Sequence, residues 1–127
     1  METGGMKGQE TELTRMELHD IIKRGSGVDH VYSEYGMTEL LSQAYSLGGG
    51  IFKSVPWMKV TCRDINDPLM PLHAGESGCF NIIDLANIYS CAFIATDDIG
   101  KTFIDGSFEV TGRLDYSELR GCNLMSI

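Results

Sequence analysis

The stretch Ser33-Glu34-Tyr35-Gly36-Met37-Thr38-Glu39 gathers two carboxylates, a phenol, hydroxyls and a glycine between an apolar segment and a run with helical spacing. Each residue type has a use at a ligand site. Glu39 is a hard oxygen ligand suited to magnesium. Thr38 can donate its hydroxyl to a phosphate oxygen, Gly36 lets the backbone approach a ligand closely, and Tyr35 offers a flat face to a base. The position adds to this, because ligands of open α/β sheets collect where a strand ends and a helix begins, and the unpaired N–H groups of a first helical turn attract an anion. The same spacing also fits a plainer arrangement, in which Thr38 caps the helix, Glu39 complements its dipole and Tyr35 packs in the core.

The elements that must position this stretch follow from periodicity. Thr14-Arg15-Met16-Glu17 has the form of a capping box, Leu18, Ile21 and Ile22 share one helical face, and Gly25 supplies a stop. Val28 to Tyr32 reads as a strand. Leu40, Leu41, Ala44 and Tyr45 then recur at helical spacing until Gly48-Gly49-Gly50. Helix, strand and helix in this order make an α/β layer, preceded by a glycine-rich start that reads as extended or loop. The later half changes character. Trp57 to Asp64, Cys79 to Leu85, Tyr89 to Thr96, and Thr102 to Ile104 with Phe108 to Thr111 are strand-like. Asn66-Asp67-Pro68 and Ala74-Gly75-Glu76 break them, and Asp105-Gly106 marks a hairpin. The expected class is therefore α/β or α+β, a short helix–strand–helix layer followed by an antiparallel β-rich subdomain or small distorted barrel. The expected division is 1–50 for the layer, 51–111 for the β-rich part and 112–127 for the tail.

The chain has 127 residues, a mass of 14.0 kDa and 43% hydrophobic content, which suits one globular domain with a modest core. A net charge of −8 spread along the chain disfavours nucleic acid and anionic membranes as partners. No apolar run approaches the roughly 20 residues that span a bilayer, and the start METGGMKGQE lacks the apolar centre of a signal peptide, so a cytoplasmic location without a membrane is expected. The 4 cysteines, Cys62, Cys79, Cys91 and Cys122, are widely spaced and read as reduced thiols, with a zinc set including His73 or disulfides as alternatives. Cys62, Cys79 and Cys91 fall in strand-like runs and are expected in the core. His19 on the amphipathic helix is expected to be solvated, and Trp57 to pack a turn, the core or an acyl pocket.

Tyr35-Gly36-Met37-Thr38-Glu39 resembles the YGxTE motif of the acyl-adenylate-forming superfamily. Ile94-Ala95-Thr96-Asp97-Asp98-Ile99-Gly100 resembles its TGD segment, Gly112-Arg113-Leu114-Asp115 its GRxD hinge motif, and Gly4-Gly5 the glycine pair ahead of the first motif. The order is that of the superfamily. Within it the chain is most similar to the acyl-protein synthetases, the ATP-dependent component of the bacterial luminescence fatty-acid reductase complex and its relatives. The stretches carrying that likeness are Ser33 to Tyr45, Ile83-Asp84-Leu85-Ala86-Asn87-Ile88-Tyr89-Ser90, and Arg120-Gly121-Cys122-Asn123-Leu124-Met125.

The resemblance implies chemistry in which a carboxylate attacks the α-phosphate of ATP, giving an acyl-adenylate and pyrophosphate, after which a thiol displaces AMP. It implies that Gly4, Gly5, Tyr35, Gly36, Thr38, Asp98 and Arg113 bind nucleotide, with Tyr35 against adenine, Thr38 on phosphate and Asp98 on the ribose hydroxyls. Glu39 would hold Mg2+, Asp115 would be the hinge of a lid, and Cys122 would accept the acyl group. Asp97 stands where the motif has glycine, which leaves Asp97 as an alternative to Asp98. Arg113 pairing with Glu109 or Glu118 is the plainer reading of that cation. The upstream phosphate loop is missing, so the chain resembles the carboxyl-terminal portion of a larger enzyme, beginning near Glu2. The implied partners are ATP or AMP, a fatty acid or other carboxylic acid, an acyl-accepting reductase or a separate amino-terminal portion, and a second copy covering exposed sheet edges. The other readings are an aryl- or acyl-CoA ligase fragment, a non-catalytic binding or regulatory module, and a zinc-stabilised domain.

Overall fold

A computed structural model describes residues 1–3 and 13–114. Gly4, Gly5, Asp115 and Cys122 lie outside the described residues. The elements are β1 (Glu2–Thr3), α1 (Arg15–Ser26), β2 (Ser33–Tyr35), β3 (Ala44–Ser46), β4 (Ile51–Ser54), β5 (Met58–Arg63), β6 (Ser77–Asp84), a 3-10 turn (Leu85–Asn87), β7 (Phe93–Thr102) and β8 (Phe108–Arg113). This is an α+β chain built on an 8-stranded sheet of order β1-β2-β3-β4-β8-β7-β6-β5. β1 runs parallel to β2, and every other neighbouring pair is antiparallel.

The helix forms as its capping box dictates. The Thr14 hydroxyl accepts from the Glu17 N–H, the Glu17 carboxylate accepts from the Thr14 N–H at 2.8 Å, and Gly27 ends the helix in the left-handed region at φ 67. His19 on this helix is buried, contrary to the solvated expectation. Its Nε2 lies 3.2 Å from Glu2 Oε1 and 3.2 Å from Ser33 Oγ, because β1 places Glu2 beside Ser33 and the helix covers both.

Two expected elements between residues 28 and 47 are corrected. Residues 28–32 are not a strand; the strand is the polar stretch itself, Ser33–Tyr35, with Ser33 and Tyr35 buried and Glu34 half-buried. The run after Glu39 is not a helix. Ala44 and Ser46 are buried on either side of exposed Tyr45, a period of two that defines β3. Gly48, Gly49 and Gly50 all take positive φ and turn the chain into β4. Pairing of Ala44–Ser46 with β2 and β4 takes the place of the helix, and the N–H groups of Leu41 and Ser42 ahead of it are held by a carboxylate from another strand, described below.

β4 lies mid-sheet and β5 at the far edge, four strand spacings away, about 19 Å across a flat sheet. The link from Ser54 to Met58 reaches at most about 14 Å. The sheet must therefore curl towards a distorted barrel. Its concave side holds the core: Phe52, Phe80 and Phe108 at 0% exposure, with Tyr35, Leu40, Ala44, Met58, Val60, Cys62 and Ile82. Phe52 and Phe108 stack at 5.5 Å, and Phe80 and Tyr35 meet Phe108 edge-on at 5.5 and 5.4 Å.

Cys62 and Cys79 belong to the interior as expected, and burial pushes both thiols up, away from the reactive thiolate. Cys91 is exposed, ahead of β7, because that strand starts at Phe93 rather than Tyr89. No helix among the described residues is long and apolar enough to cross a membrane.

The outer edges are short or covered. β1 is 2 residues long, and along β5 the Met58 N–H donates to Val55 while the Cys62 carbonyl accepts from Leu72, leaving one backbone step near Val60 between them.

Candidate functional site

The site begins with a mismatch between strands. β6 and β7 pair at Cys79↔Ile99 and again at Asn81↔Ala95. Phe80 alone lies between these pairs on β6, whereas Thr96, Asp97 and Asp98 lie between them on β7. The surplus residues form a bulge, a device that re-aims side chains out of the alternating pattern. A second irregularity adjoins it, since Ile99 pairs with Gly112 and Gly100 with Val110, leaving Thr111 over. The Thr111 hydroxyl donates to the Ile99 carbonyl at 3.2 Å. Asp98 thus projects from between two irregular steps, with Arg113 directly opposite it on β8.

Asp98 is received by the end of β2. The Tyr35 hydroxyl donates to Asp98 Oδ2 at 2.6 Å, joining residues 63 apart in the chain. The Asp98 N–H donates to the Thr96 hydroxyl at 3.2 Å, which fixes its backbone. Burial and then the Asp98 carboxylate raise the Tyr35 phenol well above its ordinary 10.0. The ring itself is 8% exposed and is met edge-on by Phe52, Phe80 and Phe108. It occupies the packed-core arrangement and offers no open face to a base; what it presents at the surface is its hydroxyl bond.

Tyr35→Phe is expected to lower the unfolding free energy by about 1.5–3 kcal/mol in urea denaturation, the range for a hydrogen bond to a charged acceptor. The phenol's pKa is raised by folding, so its contribution is intact below pH 10 and declines as the pH climbs towards the folded value. The parent should lose stability in that alkaline range and Tyr35→Phe should lose less.

Met37 to Leu40 form a turn closed by the Leu40 N–H on the Met37 carbonyl at 3.1 Å, with Thr38 and Glu39 exposed at its tip. No helix begins there, so neither a helical anion site nor a helix cap at Thr38 exists; strand β3 claims the residues that would have formed it. Two groups hold the turn. The Asn87 amide donates to the Glu39 carbonyl at 2.9 Å and the Cys91 carbonyl at 3.0 Å. Asp84, fully buried at the end of β6, accepts from the N–H groups of Leu41 at 2.9 Å and Ser42 at 2.8 Å, the Ser42 hydroxyl at 2.7 Å and the Ala86 N–H at 3.1 Å. Trp57 donates its indole N–H to the Ser42 hydroxyl at 3.0 Å, so this half-exposed tryptophan braces the same loop.

Tyr35 at the end of β2, Asp98 within β7 and Arg113 at the end of β8 are thus brought together, and the Thr38–Glu39 turn follows directly on β2. Arg113 is exposed, and Glu109 pairs with Lys101 at 3.3 Å rather than with it. Asp97 is half-buried beside Asp98 and has an interaction of its own. The motifs do not mark Asp84 and Asn87, although an aspartate that ends the strand-like run Phe80-Asn81-Ile82-Ile83 and is followed by Leu-Ala-Asn carries the signal of a capping residue.

No known family profile matches the chain, and no curated protein does. Solved structures do. ATP-bound MatB from Rhodopseudomonas palustris aligns at a TM-score of 0.56 and 19% identity, over 75% of this chain and 22% of that one. The luciferase-like enzyme of the nonluminescent mealworm Zophobas morio aligns at 0.54 and 17% identity, over 83% of this chain and 30% of that one. A benzoate CoA ligase from Burkholderia xenovorans LB400 aligns at 0.51 and 19% identity, over 76% of this chain and 23% of that one. At such identities the likeness is one of fold. The chain has the fold of one part of the adenylate-forming enzymes, the superfamily its motifs resemble, and spans less than a third of these chains.

Proposed function

We propose that this chain is the β-rich portion of an acyl-adenylating ligase of the acyl-protein synthetase kind and forms one wall of its AMP cleft. The observation that carries the reading is the 2.6 Å bond from Tyr35 to Asp98, which ties the first motif to the second while Arg113 of the third faces Asp98 across β7 and β8. The first motif thus meets the second across 63 residues of chain, with the third beside it.

In this reading Asp98 accepts the ribose hydroxyls with the carboxylate oxygen that Tyr35 leaves free, and Arg113 contacts ribose or phosphate. Thr38 meets phosphate. Glu39 would hold Mg2+, which supplies neutralisation of phosphate charge. The donor set fits: one exposed carboxylate on a turn, with no grouping of three or more His, Cys, Asp or Glu among the described residues, suits an ion that keeps several waters and takes phosphate oxygens. The acid substrate is a fatty acid or another carboxylic acid, and Cys122, flanked by Arg120, is the proposed thiol that displaces AMP. Gly4-Gly5 and the Asp115 hinge complete the assignment.

Adenylation needs the phosphate loop that this chain does not resemble, so the chain works with a body that supplies it, an arrangement equally open to a non-catalytic adenylate-binding module. Exposed Ile88, Tyr89 and Phe93 make self-association of the isolated chain the expected state in sizing experiments, and a stable monomer at high concentration counts against it.

Titration of AMP into the full chain with and without magnesium tests the site. Binding is expected to weaken at least about tenfold in Asp98→Ala, as a lost charged acceptor implies. The magnesium dependence is expected to vanish in Glu39→Gln. Unchanged affinity in Asp98→Ala would sink the reading, and ATP–pyrophosphate exchange by the chain alone would overturn its dependence on a second body.

A further inference from the structure

The bulge that carries Asp98 has a cost, because Phe80 and Thr96 carbonyls are drawn out of the regular ladder. Arg63 on β5 answers both. Its Nη1 donates to the Phe80 carbonyl at 2.7 Å and to Asn81 Oδ1 at 2.8 Å, while Nη2 donates to the Thr96 carbonyl at 2.7 Å. The Thr96 hydroxyl donates to the same Phe80 carbonyl at 3.2 Å and accepts from the Asp98 N–H. One half-buried guanidinium therefore spans β5, β6 and β7, two contacts away from Asp98.

We propose that Arg63 is a positioning residue, whose planar fork sets the bulge and through Thr96 directs the Asp98 carboxylate towards Tyr35 and the ligand. The inference rests on the reading of Asp98 as the ribose acceptor. A lysine keeps the charge and most of the stem but cannot serve three acceptors in fixed directions, so it does not replace the fork.

The test uses the full chain with Arg63→Met, Arg63→Lys, and Asn81→Ala, which removes a single acceptor and guards against a variant that fails to fold. Ile82→Val is the control, since it costs about 0.5–1.5 kcal/mol in the core without touching the bulge. Two readouts are followed beside thermal melting: the Tyr35 hydroxyl proton in NMR, protected while it is bonded to Asp98, and AMP affinity. Arg63→Met and Arg63→Lys are expected to expose the hydroxyl proton to rapid exchange and to weaken AMP about tenfold, the lower end for loss of a supporting contact. Asn81→Ala should show a smaller change in the same direction, and Ile82→Val neither. A protected Tyr35 proton in both folded Arg63 variants overturns the proposal. If Asp98→Ala binds AMP as the parent does, the ribose reading fails instead, and the Tyr35 signal still decides the part played by Arg63.

Discussion

Asp84→Ala is expected to lower the unfolding free energy by about 3–5 kcal/mol, measured by urea denaturation near neutral pH. The carboxylate is fully buried, and its charge is sustained by hydrogen bonds from Leu41, Ser42 and Ala86. Burial pushes its pKa up, but the Ser42 hydroxyl and the N–H groups of Ser42, Leu41 and Ala86 together hold it below the ordinary 3.8. Truncation leaves those N–H groups facing a cavity, at about 1–3 kcal/mol for each donor that water does not reach, and neighbouring losses do not add fully. Asp84→Asn preserves volume but turns an amide N–H2 towards some of the same donors, so it should fall between parent and Ala. The pH dependence has a definite sign. A carboxyl whose pKa is lowered by folding contributes stability that is complete above the unfolded value and disappears as the pH falls through the folded one. The parent should therefore weaken below about pH 4 more steeply than Asp84→Asn. An alanine variant within about 1 kcal/mol of the parent would mean that the loop from Leu41 to Ser42 does not depend on this anchor.

That anchor also explains where the sequence could and could not be read. The capping box of α1 needs only four neighbouring residues, and the Asp105-Gly106 turn only a few, so both were legible. The helix expected after Glu39 failed for a non-local reason. Leu40, Leu41, Ala44 and Tyr45 do recur at helical spacing, but the N–H groups of Leu41 and Ser42 are taken by Asp84, more than 40 residues away in the chain, and Ala44–Ser46 find a partner in β4. His19 sits on an amphipathic helix with every local mark of a solvated residue, and is buried because Glu2 and Ser33 come to it.

The candidate site shows the same division. The motifs single out stretches that lie apart in the chain, and two of their residues, Asp98 and Arg113, face each other across β7 and β8. The bulge that makes this possible was invisible, since a register shift is a relation between two strands and leaves no periodic trace in either. Arg63 was missed for a related reason: in Met58–Arg63 it ends an alternating strand and reads as an ordinary outward-facing cation until the carbonyls it serves are known.

Gly100→Ala tests the same geometry from the backbone side, and is expected to destabilise by about 4 kcal/mol or to prevent folding, at the exceptional end for a single substitution. A methyl group there would run into the Glu109 carbonyl of β8 and stand 2.5 Å from Phe80 Cζ. The ring alone could swing aside at some cost in packing, but a strand carbonyl cannot, so β7 and β8 would have to part immediately beside Asp98. Gly112→Ala is the matched control. It lies on the neighbouring strand, opposite Ile99, with nothing within 4 Å of the added carbon, and should change stability by less than about 1 kcal/mol. Adding Phe80→Leu to Gly100→Ala separates the two obstacles: relief should be partial, because the Glu109 carbonyl stays in place. Comparable melting temperatures for Gly100→Ala and Gly112→Ala would show that β7 and β8 are not held at the close approach on which the placement of Asp98 opposite Arg113 depends.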